Sequence, residues 1–249
     1  MSDVDGTLIS YDYHSIPSKK VIDAVKKAGK KLSVCIVTGR AYDAIRHILK
    51  AFDLHSGYAV VNNGANVVEI GSEKLLYDVP IEKKDAEYIL QVLRDENIPV
   101  YVKQSYKDSV FEKGEFIDTL SFDKAYMVYS GHAYDEKRVD EIFKKLSHLS
   151  EVTIYKTHHQ EKGKVGFNMT HVSATKLHGI EVVMKTLGVK KEELIGVGDS
   201  YNDFALLMAC GLKVAMGNAR EDLKAIADYV APSVLEDGVA DVIEKFVLG

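Results

Sequence analysis

Asp3-Val4-Asp5-Gly6-Thr7-Leu8 sets two carboxylates one residue apart and follows them at once with a glycine and a hydroxyl. Side chains of an extended segment alternate, so Asp3 and Asp5 point the same way. Like charges that close repel by several kcal/mol in a cleft unless a cation lies between them or one takes a proton. A hard divalent ion with oxygen ligands, Mg²⁺ above all, is the natural neutraliser. An EF-hand reading of the same acids fails. Met1 would fall at its first position, an Asp where it needs Glu at its last, and no helix precedes it.

Working outward, the same arrangement recurs. Leu32 to Val37 reads as a short buried strand that stops abruptly at Thr38-Gly39-Arg40, and Leu194 to Val197 as another that stops at Gly198-Asp199-Ser200-Tyr201-Asn202-Asp203. Between these turns run helical spacings, at Val21, Ile22, Val25 and Ala28 and at Ala44, Ile45, Ile48, Leu49 and Phe52. Tyr58 to Val61 is a further strand, and Asn62-Asn63-Gly64 turns the chain into Asn66 to Ile70 and Leu75 to Val79. Strand alternating with helix implies right-handed crossovers and a doubly wound parallel sheet, an α/β fold.

The rhythm changes at Pro80. Residues 80–171 read as an inserted α+β domain with a mostly antiparallel sheet: helices at Asp85 to Asp95 and Asp135 to Leu146, and strands at Val100 to Lys103, Tyr106 to Phe111, Ala125 to Tyr129, Val152 to Thr157 and Val165 to Met169. From residue 172 the parallel rhythm resumes, so residues 1–79 and 172–249 form the sheet domain. Its second part holds a helix from near Ser173 to Leu187, the strands Lys213 to Ala215 and Tyr229 to Ala231, and helices from Ala219 and near Val239 to Val247.

With 249 residues, 46% hydrophobic and 28% charged, the chain can bury a sizeable core. A net charge of −5 with dispersed Lys and Arg gives no basic stripe, so a nucleic-acid partner is not expected. No stretch is apolar for the ~18 residues a membrane helix needs, and no signal region opens the chain, so a cytoplasmic, membrane-free protein is expected. Cys35 and Cys210 lie in apolar runs and make no disulfide framework, and the His158-His159 pair has no zinc-ligand spacing.

Three loops thus leave strands at one edge, where doubly wound sheets bind ligands. Asp199 and Asp203 bring further acids to Asp3 and Asp5, and Lys176 brings one positive charge. Four carboxylates, hydroxyls, free glycine N–H groups and a lysine suit a metal and a phosphate. In that order, Asp3-Val4-Asp5-Gly6-Thr7, Thr38-Gly39-Arg40, Lys176 and Gly198 to Asp203 resemble the four motifs of the haloacid dehalogenase (HAD) superfamily of phosphohydrolases. Asn63-Gly64-Ala65, Val214 to Ala219 and Glu236 to Ala240 are similar to segments of its Cof-type branch, which carries an α+β cap between the second and third motifs. Leu177 follows Lys176 where that branch often has Gly.

The resemblance implies a Mg²⁺-dependent phosphatase acting on a small phosphorylated metabolite, a sugar phosphate being the expected class, through an aspartyl-phosphate. Asp3 would be the nucleophile and Asp5 the acid and base. Mg²⁺ would be held by Asp3, the Asp5 carbonyl and Asp199, with Asp203 orienting the shell. Val4, Thr38, Gly39, Lys176 and Asn202 would surround the transferring phosphoryl oxygens, and Arg40 would serve structure or substrate contact. A phosphomannomutase and a silent phosphometabolite-binding protein are the alternatives. One departure stands out, since relatives lead into the first motif through an apolar strand and only Met1 and Ser2 precede Asp3 here. The expectation is a chain shortened at its N-terminus, in which an upstream apolar segment would raise stability and activity.

Overall fold

The structure, a computed structural model, describes residues 1–12, 14–107, 111–113, 123–130, 132–158 and 161–249. The chain divides into two compact units, Met1–Asp78 with Thr175–Gly249, and Val79–Ala174.

In the first unit, α1 (Lys19–Ala28) starts where Ser18 Oγ accepts from the Val21 N–H, and it buries Val21, Ala24, Val25 and Ala28. Next come β1 (Cys35–Val37), α2 (Tyr42–Ala51), β2 (Tyr58–Val61), β3 (Asn66–Glu69) and β4 (Leu75–Asp78). Strand β1 is shorter than the run from Leu32 suggests. Its register with β2 begins at Cys35 opposite Tyr58, and Leu32 stays exposed.

The second unit contains α3 (Lys83–Asp95), β5 (Val100–Lys103), β6 (Phe111–Lys113), β7 (Met127–Ser130), β8 (Tyr134–Asp135), α4 (Glu136–Leu146), β9 (Val152–His158) and β10 (Lys164–His171). Every strand pairing described in it is antiparallel. Ile89 and Leu93 of α3 and Val139, Ile142 and Leu146 of α4 pack against Val102, Val128, Phe167 and Met169 of the sheet. The strand expected from Tyr106 falls partly outside the described residues, as does the His158-His159 pair.

Back in the first unit follow α5 (Lys176–Leu187), β11 (Ile195–Gly198), α6 (Phe204–Met208), β12 (Leu212–Ala215), α7 (Glu221–Lys224), β13 (Tyr229–Val230) and α8 (Gly238–Ile243), after which Glu244–Leu248 continues as a π-helical turn. Thr175 Oγ1 caps α5 by accepting from the His178 N–H, and Gly188 ends it in the left-handed region. No helix among the described residues is long and apolar enough to cross a membrane.

One sheet runs through this unit. Strands β1 and β2 are parallel, β3 and β4 add an antiparallel edge, and β11, β12 and β13 are parallel. Met1 to Asp3 join the two halves. The Ser2 N–H donates to Cys35 O at 2.9 Å and Val37 N–H to Ser2 O at 2.9 Å, while the Asp3 N–H donates to Val197 O at 3.0 Å and Val197 N–H to Met1 O at 3.0 Å. The Met1 amino group reaches Ile195 O at 2.7 Å. Ser2 therefore bridges β1 on one side and β11 on the other, both in parallel sense. The chain runs away from this segment in both directions across the sheet, which makes it the switch point where such sheets open a ligand crevice.

Candidate active site

Asp3 leaves the sheet at that switch point, between Thr38 at the end of β1 and Asp199 at the end of β11. The turn after Asp3 is held from within. Val4 O accepts from the N–H groups of Thr7, Leu8 and Ile9, and Val4, Leu8 and Ile9 are buried. Gly6 has φ +77°, and a Cβ there would run into the Asp199 carboxylate and the Tyr11 hydroxyl.

Lys176, buried at the start of α5, donates from Nζ to Asp3 Oδ1 at 2.7 Å and to Asp203 Oδ1 at 2.6 Å. Asp203 Oδ2 accepts from the backbone N–H groups of Asp199 and Ser200, both at 3.0 Å. Asp199 Oδ1 accepts from Thr7 Oγ1 at 3.0 Å, and its Oδ2 accepts from the Tyr11 hydroxyl. Asp3, Asp199 and Asp203 are all buried and offer carboxylate oxygens within 4.8 Å of one another. Three hard, anionic oxygens set so close fit a divalent cation of the Mg²⁺ kind.

Thr38 is buried, and its Oγ1 accepts from the Arg40 N–H at 3.1 Å. A Cβ on the neighbouring Gly39 would lie 2.9 Å from Asn63 Oδ1, so that turn leaves no room for a side chain. Asp5, expected to point the same way as Asp3, is not among the three grouped carboxylates. Arg40, itself buried, grips the Asp5 carboxylate with Nε, at 2.9 Å from Oδ2, and with Nη2 on Oδ1. Arg40, expected to serve structure or substrate contact, thereby pairs with Asp5. Asn202 is exposed, and its Oδ1 accepts from Ser200 Oγ at 2.5 Å, so its side chain stands apart from the buried group.

Sequence reasoning missed Tyr11 and the supporting asparagines. Asn63 has φ +56° and sends its N–H to Thr38 O at 3.1 Å, while Asn218 joins Gly6 O, at 2.8 Å, to the Val234 N–H, at 2.8 Å. Both asparagines lie in the segments similar to the Cof-type branch. In this chain those segments brace the loops that carry Thr38 and Gly6. Gly64, with φ +98°, sits so close to α5 that a Cβ would strike the Thr175 carbonyl. Gly64→Ala should therefore cost about 2 kcal/mol or more and move Lys176 off Asp3. Melting temperature and turnover should both fall, and an unchanged pair would refute this role for the close approach.

Burial pushes the Asp3 carboxyl up to about 7, against the pull of Lys176 and with added repulsion from Asp203 and Asp199. Asp199 is raised too, chiefly by burial. Burial alone would lower Lys176, but Asp3 and Asp203 outweigh it and hold the ammonium above the usual lysine range. Between the ordinary value of 3.8 and about 7, folded Asp3 keeps a proton that the unfolded chain has lost. Raising the pH through that window therefore removes stability. Without divalent cation, the melting temperature of the wild type should drop relative to Asp3→Asn between about pH 4 and pH 7. A difference that does not vary with pH would contradict the assignment.

The comparisons with known proteins bear on the fold and the family. The haloacid dehalogenase-like hydrolase family matches residues 1–243. Phosphatase YwpJ of Bacillus subtilis is 25% identical, over 98% of each chain. A second B. subtilis relative, the 5-amino-6-(5-phospho-D-ribitylamino)uracil phosphatase YcsE, is 26% identical over 99% of this chain and 94% of its own. Among solved structures, a haloacid dehalogenase-like hydrolase from Bacteroides thetaiotaomicron superposes with a TM-score of 0.81 at 19% identity, over 98% of this chain and 97% of that one. With its α/β sheet, its strand-end carboxylates and a family match over nearly its whole length, the chain belongs to the haloacid dehalogenase-like hydrolases.

Proposed function

We propose that this chain, a phosphoric monoester hydrolase of that family, is a Mg²⁺-dependent phosphatase that works through an aspartyl-phosphate on Asp3. One observation carries the reading. Lys176 bridges Asp3 and Asp203 in a buried site, with Asp199 beside them, at the carboxyl edge of the sheet.

Asp3 Oδ2 is the attacking atom, since Oδ1 is held by Lys176. It forms a bond to phosphorus as the bond to the leaving oxygen breaks. Asp5 gives its proton to that oxygen, and then takes one from the water that cleaves the acyl phosphate. Both oxygens of the Asp5 carboxylate accept from Arg40 here, so the first step requires one of them to leave the guanidinium and carry the proton it delivers. Lys176 and the Thr38-Gly39 turn meet the charge that spreads over the equatorial oxygens. Asp3, the Asp5 carbonyl and Asp199 would hold Mg²⁺, which would supply charge neutralisation for a carboxylate approaching a dianion. Asp203, committed to Lys176 and two backbone N–H groups, keeps the acidic group in place rather than reacting.

The substrate class is a small phosphorylated metabolite, sugar phosphates above all. A relative named for a phosphoribityl compound, aligned over 99% of this chain, supports a phosphate ester on a sugar-derived chain. Selection is assigned to the Val79–Ala174 unit, which enters the chain between the Thr38 and Lys176 loops. The test is a panel of phosphorylated metabolites and one aryl phosphate, assayed with Mg²⁺ for free phosphate and for isomerised sugar phosphate. Free phosphate is expected. An isomerised ester without phosphate release would establish a mutase, and no turnover on any member would favour a binding protein.

A further inference from the structure

The Thr38-Gly39-Arg40 turn rests on a second turn behind it, Asn62-Asn63-Gly64. Two adjacent backbone donors make the joint: the Asn62 N–H reaches Arg40 O at 2.9 Å and the Asn63 N–H reaches Thr38 O at 3.1 Å. Both asparagines lie in the left-handed region, with φ +52° and +56°. Asparagine tolerates that conformation singly, and two in succession need support from their surroundings.

Asn62 finds that support through its side chain. Its Nδ2 donates to Asn66 Oδ1 at 2.8 Å, and Asn66 Nδ2 donates to Asp78 Oδ1 at 3.0 Å. Asn62 and Asn66 are wholly buried, so neither can exchange these bonds for water. Strand pairing sets Asn66 of β3 opposite Asp78 of β4. The row has a direction. An ionised carboxylate only accepts, so Asp78 turns the Asn66 NH₂ toward itself, and the Asn66 carbonyl then faces the NH₂ of Asn62. Asp78 itself is half-buried and is the last residue before the Val79–Ala174 unit.

We propose that Asp78 is a positioning residue for the acid step, acting through Asn66 and Asn62 on the Arg40 turn and through Arg40 on Asp5. This rests on Asp5 as the acid. One Asp5 oxygen must leave the guanidinium while the other stays, so the place of Arg40 decides where the proton-bearing oxygen points. Arg40 is buried, and its own carbonyl is the atom that the Asn62 N–H holds, so a shift of the Asn62 turn passes to the guanidinium. The Thr38 end is held by the sheet as well, its N–H donating to Val60 O at 2.8 Å. Loosening the row therefore costs proton delivery more than it costs the phosphate contacts of Thr38.

The test is kcat/KM with Mg²⁺ on two esters of similar shape, para-nitrophenyl phosphate and phenyl phosphate. Nitrophenoxide leaves without a proton and phenoxide leaves far better with one, so the ratio of the two values reads the acid step. Asp78→Ala should lose about tenfold on phenyl phosphate and no more than about twofold on the nitrophenyl ester, part of the roughly 10²- to 10⁴-fold that a general acid contributes. Asp78→Asn keeps an acceptor for Asn66 and should stay within about threefold of wild type on both esters. Asn66→Ala breaks the same bond from its other side and should repeat the Asp78→Ala pattern, so one variant stands in if the other does not fold. Asp5→Asn is the reference, and should lose most on phenyl phosphate. If it does, and the Asp78 and Asn66 variants lose equally on the two esters or lose nothing, the positioning role is overturned and Asp5 remains the acid. If Asp5→Asn loses equally on both esters, the acid reading falls and the positioning role with it.

Discussion

Asp3→Asn should lose at least about a thousandfold in turnover while keeping its fold. The amide matches the carboxylate in volume but is a far weaker nucleophile, and it removes one negative charge from the cation site. Structure should survive, because the backbone of Asp3, not its carboxylate, pairs with β11, and Lys176 keeps Asp203 as a partner. Burial already penalises the ionised Asp3 side chain, so a neutral group there relieves that penalty above about pH 7. The variant should melt at the same temperature as the wild type or higher when no divalent cation is present. More than about a tenth of the parent rate would exclude Asp3 as the nucleophile.

Lys176→Met should fail in both respects. Its ammonium is the cation that lies between the Asp3 and Asp203 carboxylates, and all three side chains are almost wholly buried. Removing it leaves two like charges in a dry site, a loss of the kind that costs about 3 to 5 kcal/mol when one partner of a buried pair is deleted. Protonation of Asp3 limits the damage but also removes the nucleophile. Turnover should fall by about a hundredfold or more, and the melting temperature should fall with it. Lys176→Arg should not rescue either property, because the buried Nζ meets two carboxylates as a compact point donor, a geometry that the longer, planar guanidinium does not reproduce. A stable Lys176→Met enzyme would show that the bridge contributes little.

Much of this site is legible in the chain because strand-end turns announce themselves locally. Thr38 and Asp199 each follow an apolar run and open a turn, and Asp3 stands just before the Gly6 turn. Their meeting in space follows from the parallel rhythm alone. Lys176 can be placed because a helix start is a local signal. Arg40 is harder, since its partner Asp5 lies 35 residues away and a long side chain can reach in many directions. Tyr11 carries no signal at all. It sits in a loop without periodicity, and only the curl of the Gly6 turn brings its hydroxyl to a carboxylate 188 residues on. The central segment is illegible for another reason. Met1 to Asp3 are too few to show a strand pattern, and their pairing with β1 and β11 comes entirely from those neighbours.

The central claim is that the phosphoryl group passes through Asp3, and it can be observed directly. Asp5→Asn, which lacks the base for the second step, is mixed with an aryl phosphate carrying a labelled phosphoryl group, whose leaving group departs without the acid that Asp5 supplies in the first step, quenched in acid within a turnover, digested and mapped by mass spectrometry. The label should sit on Asp3, in an amount approaching one per chain, and should be absent from Asp5→Asn protein that also carries Asp3→Asn. A label on any other residue, or product release in the first turnover with no labelled peptide, would contradict the account.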